Sequence, residues 1–223
     1  MANIHIIEDF NSFDRIKEEM ELHHIEKFRS YEHFATWKNE CRACPIGKVY
    51  DQVIQSSGNT VNPKVVVVGE APGADELDAG KPFVGKCGKL LRATLEKAGF
   101  NDENSLITNT IPCRPENNKF PKDDTIVKNC KSMWLKSELQ ILNPDYLLLI
   151  GSQSLKFLLN IRGITKAHGI WNKRKLNGKV IQIMPTFHPS YILRVQYSPD
   201  KKYIVQEFEN DIMRVGKTAG FIQ

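Results

Sequence analysis

Four short runs rich in Val, Ile and Leu constrain this 223-residue chain more than any other feature: Val65 to Val68, Ser105 to Thr110, Tyr146 to Ile150 and Val180 to Met184. Helical patterns separate them, at roughly Gly88 to Ala98, Asp123 to Leu142 and Ser152 to Leu159. Such alternation predicts an α/β fold with a parallel, doubly wound sheet, a three-layer α/β/α sandwich around four parallel strands. Each run ends in polar or loop-forming residues: GEAPG, TNTIPCRP, GSQS and PTFHPS. All four loops leave the same edge of such a sheet, so Glu70, Asn109, Ser152 and His188 are expected to converge on one crevice.

The first loop is the densest in chemistry. Gly69 to Leu91 reads GEAPGADELDAGKPFVGKCGKLL and opens the next helix. A helix amino end at the carboxyl edge of a sheet is where α/β proteins hold anions. This loop nevertheless lacks G-x-G-x-x-G and the G-K-[ST] ending, and its two Glu would repel a pyrophosphate.

Composition sets looser bounds. With 41% apolar and 26% charged residues, the chain is expected to form a single globular domain, residues 1–223. Its net charge of +5 permits a polyanionic partner without demanding one. No apolar run approaches the roughly 20 residues of a membrane span, and MANIHIIEDF lacks a basic-then-apolar leader, so an intracellular, cytoplasmic protein off the membrane is expected. Within residues 1–36, Phe13, Ile16 and Met20 recur at helical spacing, a helical extension before a core at 37–195. His23 and His24 are adjacent, hence about 100° apart on a helix, which favours solvated or packing roles over metal binding. In the last segment, 196–223, Ile204, Phe208 and Ile212 mark a covering helix over Lys201 to Val215.

Five Cys fit a reducing compartment and a metal or cluster site better than a disulfide framework. Cys41 and Cys44 form a C-x-x-C turn, and Cys113 and Cys130 complete a set of four. Four thiolates suit tetrahedral zinc or a [4Fe-4S] cluster equally well. Zinc ribbons bring two close pairs where this chain has one, an asymmetry that favours the cluster. Four ordinary reduced cysteines are the third reading.

The combination of GEAPG, GKPFVG followed by GKLL, TNTIPCRP and PTFHPSYILR resembles the family 4 uracil-DNA glycosylases, the iron-sulfur branch of that superfamily. The likeness spans residues 41 to 194 and includes the four Cys spacings. It implies a uracil-DNA glycosylase-like fold and a monomeric DNA N-glycosylase that acts on uracil-containing DNA. By this resemblance Phe83 stacks on an extruded uracil, Asn109 reads its amide edge, and Gly69 belongs to the same pocket. His188 faces the uracil carbonyl where negative charge grows, while Glu70 and Glu76 lie in the loop beside the sugar. Cys41, Cys44, Cys113 and Cys130 hold a [4Fe-4S] cluster. Pro189, Ser190, Tyr191, Leu193 and Arg194 match the loop that approaches the DNA.

These residue types suit that chemistry. An aromatic ring stacks on any base, whereas a side-chain amide offers one donor and one acceptor, complementary to uracil and mismatched to cytosine. Carboxylates beside Phe83 suit a cationic sugar next to a flat neutral base. Two departures from the family pattern stand out: Glu76-Leu77 replaces an acidic pair, and Cys87 stands where a small Ala is expected. A related branch that traps uracil covalently carries a His in the loop after the Asn strand; here that loop, RPENNKFP, has none, which disfavours covalent trapping. A non-catalytic iron-sulfur DNA-binding module and a zinc-stabilised nucleotide-binding protein are the other readings of the same residues.

Overall fold

A computed structural model describes Phe28 and residues 30–223. The segment carrying Phe13, Ile16, Met20, His23 and His24 lies outside the described residues.

Six strands form one mixed sheet in the order β1-β3-β2-β4-β6-β5. They are β1 (Ser57–Gly58), β2 (Val65–Gly69), β3 (Ser105–Asn109), β4 (Tyr146–Ile150), β5 (Asn172–Leu176) and β6 (Lys179–Thr186). The four expected strands are the central parallel set, with β2 paired to β3 on one side and β4 on the other, and β4 paired to β6. Two antiparallel edges were not expected. β1 is only two residues long, too short for a periodic pattern. β5 is a polar edge strand, NKRKL, joined to β6 by Asn177-Gly178, both at positive φ as a tight hairpin turn requires.

The central strands are buried on both faces because their side chains alternate between two cores. Val65, Val67, Leu148, Ile150 and Met184 pack toward helices Lys86–Lys97, Pro189–Val195 and Lys202–Thr218. Val66, Val68, Leu147, Leu149, Ile181 and Ile183 face helices Lys136–Leu142 and Ser152–Leu159. The covering helix runs Lys202–Thr218, with Ile204, Phe208 and Ile212 buried as its spacing predicts. A third core, away from the sheet, gathers Phe34, Trp134 and Phe157 around four cysteines.

The expected helix over 123–142 is interrupted: α-helix Asp124–Cys130 passes into a π-helical stretch, Lys131–Leu135, before α-helix Lys136–Leu142 resumes. A π turn inserts one residue per turn and swings the following side chains, here Met133 and Trp134, into the cysteine core.

Helix Tyr31–Asn39 crosses position 36 and anchors to the body through a buried polar network. Glu138 accepts from Tyr31 Oη (2.7 Å), Ser56 Oγ (2.5 Å), Thr108 Oγ1 (2.8 Å) and Lys38 Nζ (3.3 Å). Lys38 and Glu138 are 2% and 1% exposed, so neither charge has water to fall back on. Lys38→Met is expected to lower stability by about 3 kcal/mol, read by urea unfolding, because it leaves the Glu138 carboxylate buried without its cation.

Candidate active site

The carboxyl ends of the parallel strands open on a cleft of about 330 Å³. Glu70, Glu76 and Phe83 come to it from the segment between β2 and helix Lys86–Lys97, Cys87 from the first turn of that helix, Asn109 from the end of β3, and His188 and Ser190 from the start of helix Pro189–Val195 after β6. A second space, about 520 Å³, shares Glu70, His188 and Ser190 and adds Ser152, Gln153, Tyr191 and Arg194. Glu70, Phe83, Asn109 and His188 are therefore brought together as expected, while Ser152 belongs to the adjoining space.

Gly69 is paired in register with Asn109 at the cleft floor. A Cβ built on Gly69 would run into Asn109 Oδ1 and come within 2.6 Å of the Phe83 ring, so only glycine leaves room for amide and ring together. Asn109 is 8% exposed. Its Oδ1 is one of two buried side-chain polar atoms, among the described residues, with no hydrogen-bond partner. A buried acceptor left unpaired costs about 1–3 kcal/mol, which a ligand supplying a donor would recover.

Phe83 is buried with φ +54°. Every other non-glycine residue at positive φ among the described residues is Asn or Asp. The left-handed conformation costs an aromatic residue about 1–2 kcal/mol, so its surroundings must hold it there. Glu76 does part of this. Its Oε1 accepts from the backbone N–H groups of Val84 and Gly85, both at 2.9 Å, and its Oε2 from Gly73 N–H at 3.0 Å. Both oxygens of Glu76, expected beside a sugar, are thus committed to fixing the loop.

His188 caps helix Pro189–Val195 with its own side chain. Nδ1 accepts from Ser190 N–H at 3.2 Å and lies 2.8 Å from Ser190 Oγ. A backbone N–H can only donate, so Nδ1 carries no proton and the neutral ring bears its hydrogen on Nε2. Burial, aided by the Arg194 cation, pushes the imidazole down to about 4, with Glu76 opposing. The ring is a neutral donor at pH 7.

Glu70 Oε1 accepts from Gln153 N–H at 3.2 Å, at the amino end of helix Ser152–Leu159. Burial raises its carboxyl above the usual range, partly offset by the Gln153 and Ser152 N–H groups. Gly151 keeps this corner open, since a Cβ there would crowd Glu70 Oε1 and His188 Cβ. Beyond His188, Pro189 is buried, Tyr191 and Leu193 are half-buried, and Arg194 is exposed with its guanidinium 5.8 Å from the Tyr191 ring centre.

Cys41, Cys44, Cys113 and Cys130 are each 6% exposed and share one core. Trp134 Nε1 donates to Cys41 Sγ at 3.3 Å. The Cys113 thiol is pushed up to about 12 by burial, with Cys41 and Cys44 adding to it. Cys130 is raised chiefly by its hydrogen bond with Cys44, then by burial. A buried group of four sulfurs, three of them with thiols raised by burial and by their neighbours and one holding an indole N–H, fits a bound cationic centre able to hold them as thiolates. Cys87 is separate: it is half-buried and lines the cleft, its thiol raised by burial and by Glu76.

Pro115, Asn118 and Phe120 complete the cleft wall and were missed from the sequence. The one signal for them was position: RPENNKFP comes directly after the Asn109 strand and must begin at the same sheet edge.

The chain is similar to known proteins over most of its length. The profile of the Uracil DNA glycosylase superfamily matches residues 55–211. The chain is 34% identical to a type-4 uracil-DNA glycosylase of Thermotoga maritima, over 76% of this chain and 86% of that protein. It is 31% identical to a type-4 uracil-DNA glycosylase of Archaeoglobus fulgidus, over 81% and 88% respectively. A type-4 uracil-DNA glycosylase of Saccharolobus solfataricus is 32% identical over 75% of this chain and 78% of its own length.

The His188 environment has a direct pH signature. In ¹H–¹⁵N correlation spectra the ring is expected to show the Nε2–H tautomer and to titrate near 4, against about 6.5 for an unperturbed imidazole. Because the unfolded chain takes up this proton first, its contribution to stability is complete above about 6.5 and is lost as pH falls toward 4. A midpoint near 6.5 would contradict the buried-donor geometry.

Proposed function

The chain belongs to the uracil DNA glycosylase superfamily, and from that premise we propose that it excises uracil from DNA in the cleft between Phe83, Asn109 and His188. The observation that carries the reading is the unpartnered, buried Asn109 Oδ1 in that cleft. Hydrolysis of the N-glycosidic bond leaves an abasic site, the entry to base-excision repair.

A base stacked in duplex DNA is out of reach, so the nucleotide must be flipped out at a cost of a few kcal/mol. Stacking on Phe83 returns about 1–3 kcal/mol without discriminating among bases. Asn109 supplies discrimination: uracil N3–H donates to Oδ1 and a uracil carbonyl accepts from the amide. Cytosine presents an acceptor at N3 and an amine where uracil has a carbonyl, mispairing buried groups at about 1–3 kcal/mol each.

As the C1′–N1 bond breaks, its electron pair passes to the uracil ring and positive charge develops on the sugar. The neutral His188 donates from Nε2 to the uracil oxygen that gains charge, an interaction worth about 2.7–4 kcal/mol by analogy with other oxyanion donors. Glu70, held at a helix amino end between the two spaces, orients water and stabilises the sugar cation. Glu76 acts one step back, keeping Phe83 in place. The adjoining space takes the sugar-phosphate backbone, where the Arg194 cation favours an anion. Pro189, Ser190, Tyr191 and Leu193, on helix Pro189–Val195, face the DNA beside it.

We assign Cys41, Cys44, Cys113 and Cys130 to a [4Fe-4S] cluster that ties the C-x-x-C turn, the segment after β3 and the π-interrupted helix into one unit. We further propose that the enzyme is intracellular and works as a monomer. Among the described residues no helix is long and apolar enough to cross a membrane.

Excision assays on U:G, U:A, single-stranded U and T:G substrates test the function: uracil release is expected, and no abasic product at any enzyme concentration would refute it. His188→Ala should lower turnover about 10²–10³-fold while DNA binding persists. Cys113→Ser should abolish the visible absorbance of an iron-sulfur protein and lower its stability. A coloured, stable Cys113→Ser protein would show that the ligand set is wrong, and a colourless wild type retaining zinc would replace the cluster.

A further inference from the structure

Phe83 sits in a backbone conformation that its side chain disfavours, and Glu76 restrains only the two residues after it. Val84 and Gly85 donate to Glu76, which leaves the carbonyls of Pro82 and Phe83 to be held by another group. That group is Arg92. From the second turn of helix Lys86–Lys97 its Nε donates to Phe83 O at 2.9 Å and its Nη2 to Pro82 O at 2.8 Å. The planar guanidinium grips two consecutive carbonyls, a fork that fixes direction as well as distance. On the same helix, Gly88 lies against the Phe83 backbone, where a Cβ would come within 2.5 Å of Phe83 Cα. Phe83 is thus clamped from three sides: a carboxylate on the amides after it, a guanidinium on its own and the preceding carbonyl, and a helix backbone beneath.

We propose that Arg92 is a positioning residue for uracil excision: it does not line the cleft but sets the Phe83 ring as a rigid platform for the flipped base. A phenylalanine at φ +54° left without this grip would relax toward negative φ, and the peptide rotation would carry the ring off the floor formed by Gly69 and Asn109. The platform is therefore prepared before DNA arrives, and its ordering is not charged against binding. This inference rests on the reading of Phe83 as the stacking surface.

The test compares Arg92→Ala and Arg92→Lys with wild type on two DNAs: one carrying a 2′-fluorinated deoxyuridine that resists cleavage, and one carrying an abasic site. Lys retains the charge and a single donor but not the fork. Affinity for the uracil-bearing DNA, and kcat/KM on cleavable substrate, should fall about 10-fold for Arg92→Ala and less for Arg92→Lys, in line with loss of one base-stacking contact. Affinity for abasic DNA, which has no base to stack, should change less than about 2-fold. In a Phe83→Ala background Arg92→Ala should cost nothing further, because its effect runs through that ring. Equal losses on both DNAs, an additive loss in the Phe83→Ala background, or no loss at all would overturn the inference. If Arg92→Ala fails to fold, Arg92→Lys carries the same comparisons. A Phe83→Ala enzyme as active as wild type would instead remove the platform reading itself.

Discussion

Strand β2 is the element on which the rest of the site is registered. Val65 to Val68 are fully buried and paired in parallel on both sides, to β3 and to β4, so neither the strand nor its neighbours can slip without exposing one core or the other. That register sets Gly69 opposite Asn109. Glycine at this one position lets an aromatic ring and an amide approach the same stretch of backbone, and the cleft floor results from that approach. The parallel direction does the remainder, since it sends the loops carrying Glu70, Asn109 and His188 out of a single edge.

Burial and hydrogen bonding set the state of each ionisable group in the cleft. Ser190 N–H claims His188 Nδ1, which fixes the tautomer, and burial keeps the ring neutral. Glu70 is desolvated but retains N–H donors at a helix end, the environment in which a carboxylate can face a developing cation. Glu76 has a different task despite its place in the same loop. With both oxygens on backbone N–H groups it restrains the loop, and its charge acts on His188 only from beside it. Two carboxylates six residues apart thus divide into one that lines both spaces from a helix amino end and one that shapes the wall.

Much of this was legible in the sequence, for physical reasons. Buried parallel strands have a strong, local signature, and the residues that end them inherit a common edge, so Glu70, Asn109 and His188 are placed together by the strand pattern alone. The misses have equally local causes. β5 is polar because it is an edge strand, and its best signal, Asn177-Gly178, marks a turn rather than a core. The roles of Glu76 and Arg92 depend on backbone groups of residues 73 and 82–85, and no side-chain pattern reports where a backbone carbonyl points. Asn118 and Phe120 reach the cleft through an irregular segment with Asn117 and Asn118 at positive φ, a path that periodicity cannot trace. The π turn after Cys130 is invisible in a pattern that reads as one helix.

The central claim is that Asn109 recognises uracil through the hydrogen on N3. Competition by free bases tests it without cofactor, strand or sequence effects. Uracil should inhibit excision, whereas 3-methyluracil, of nearly the same size and stacking surface but with no N3–H, should compete far more weakly, by at least about 10-fold for a buried acceptor left unpaired. Equal inhibition by the two bases would mean that Asn109 Oδ1 does not read that edge, and the account of specificity would fall with it.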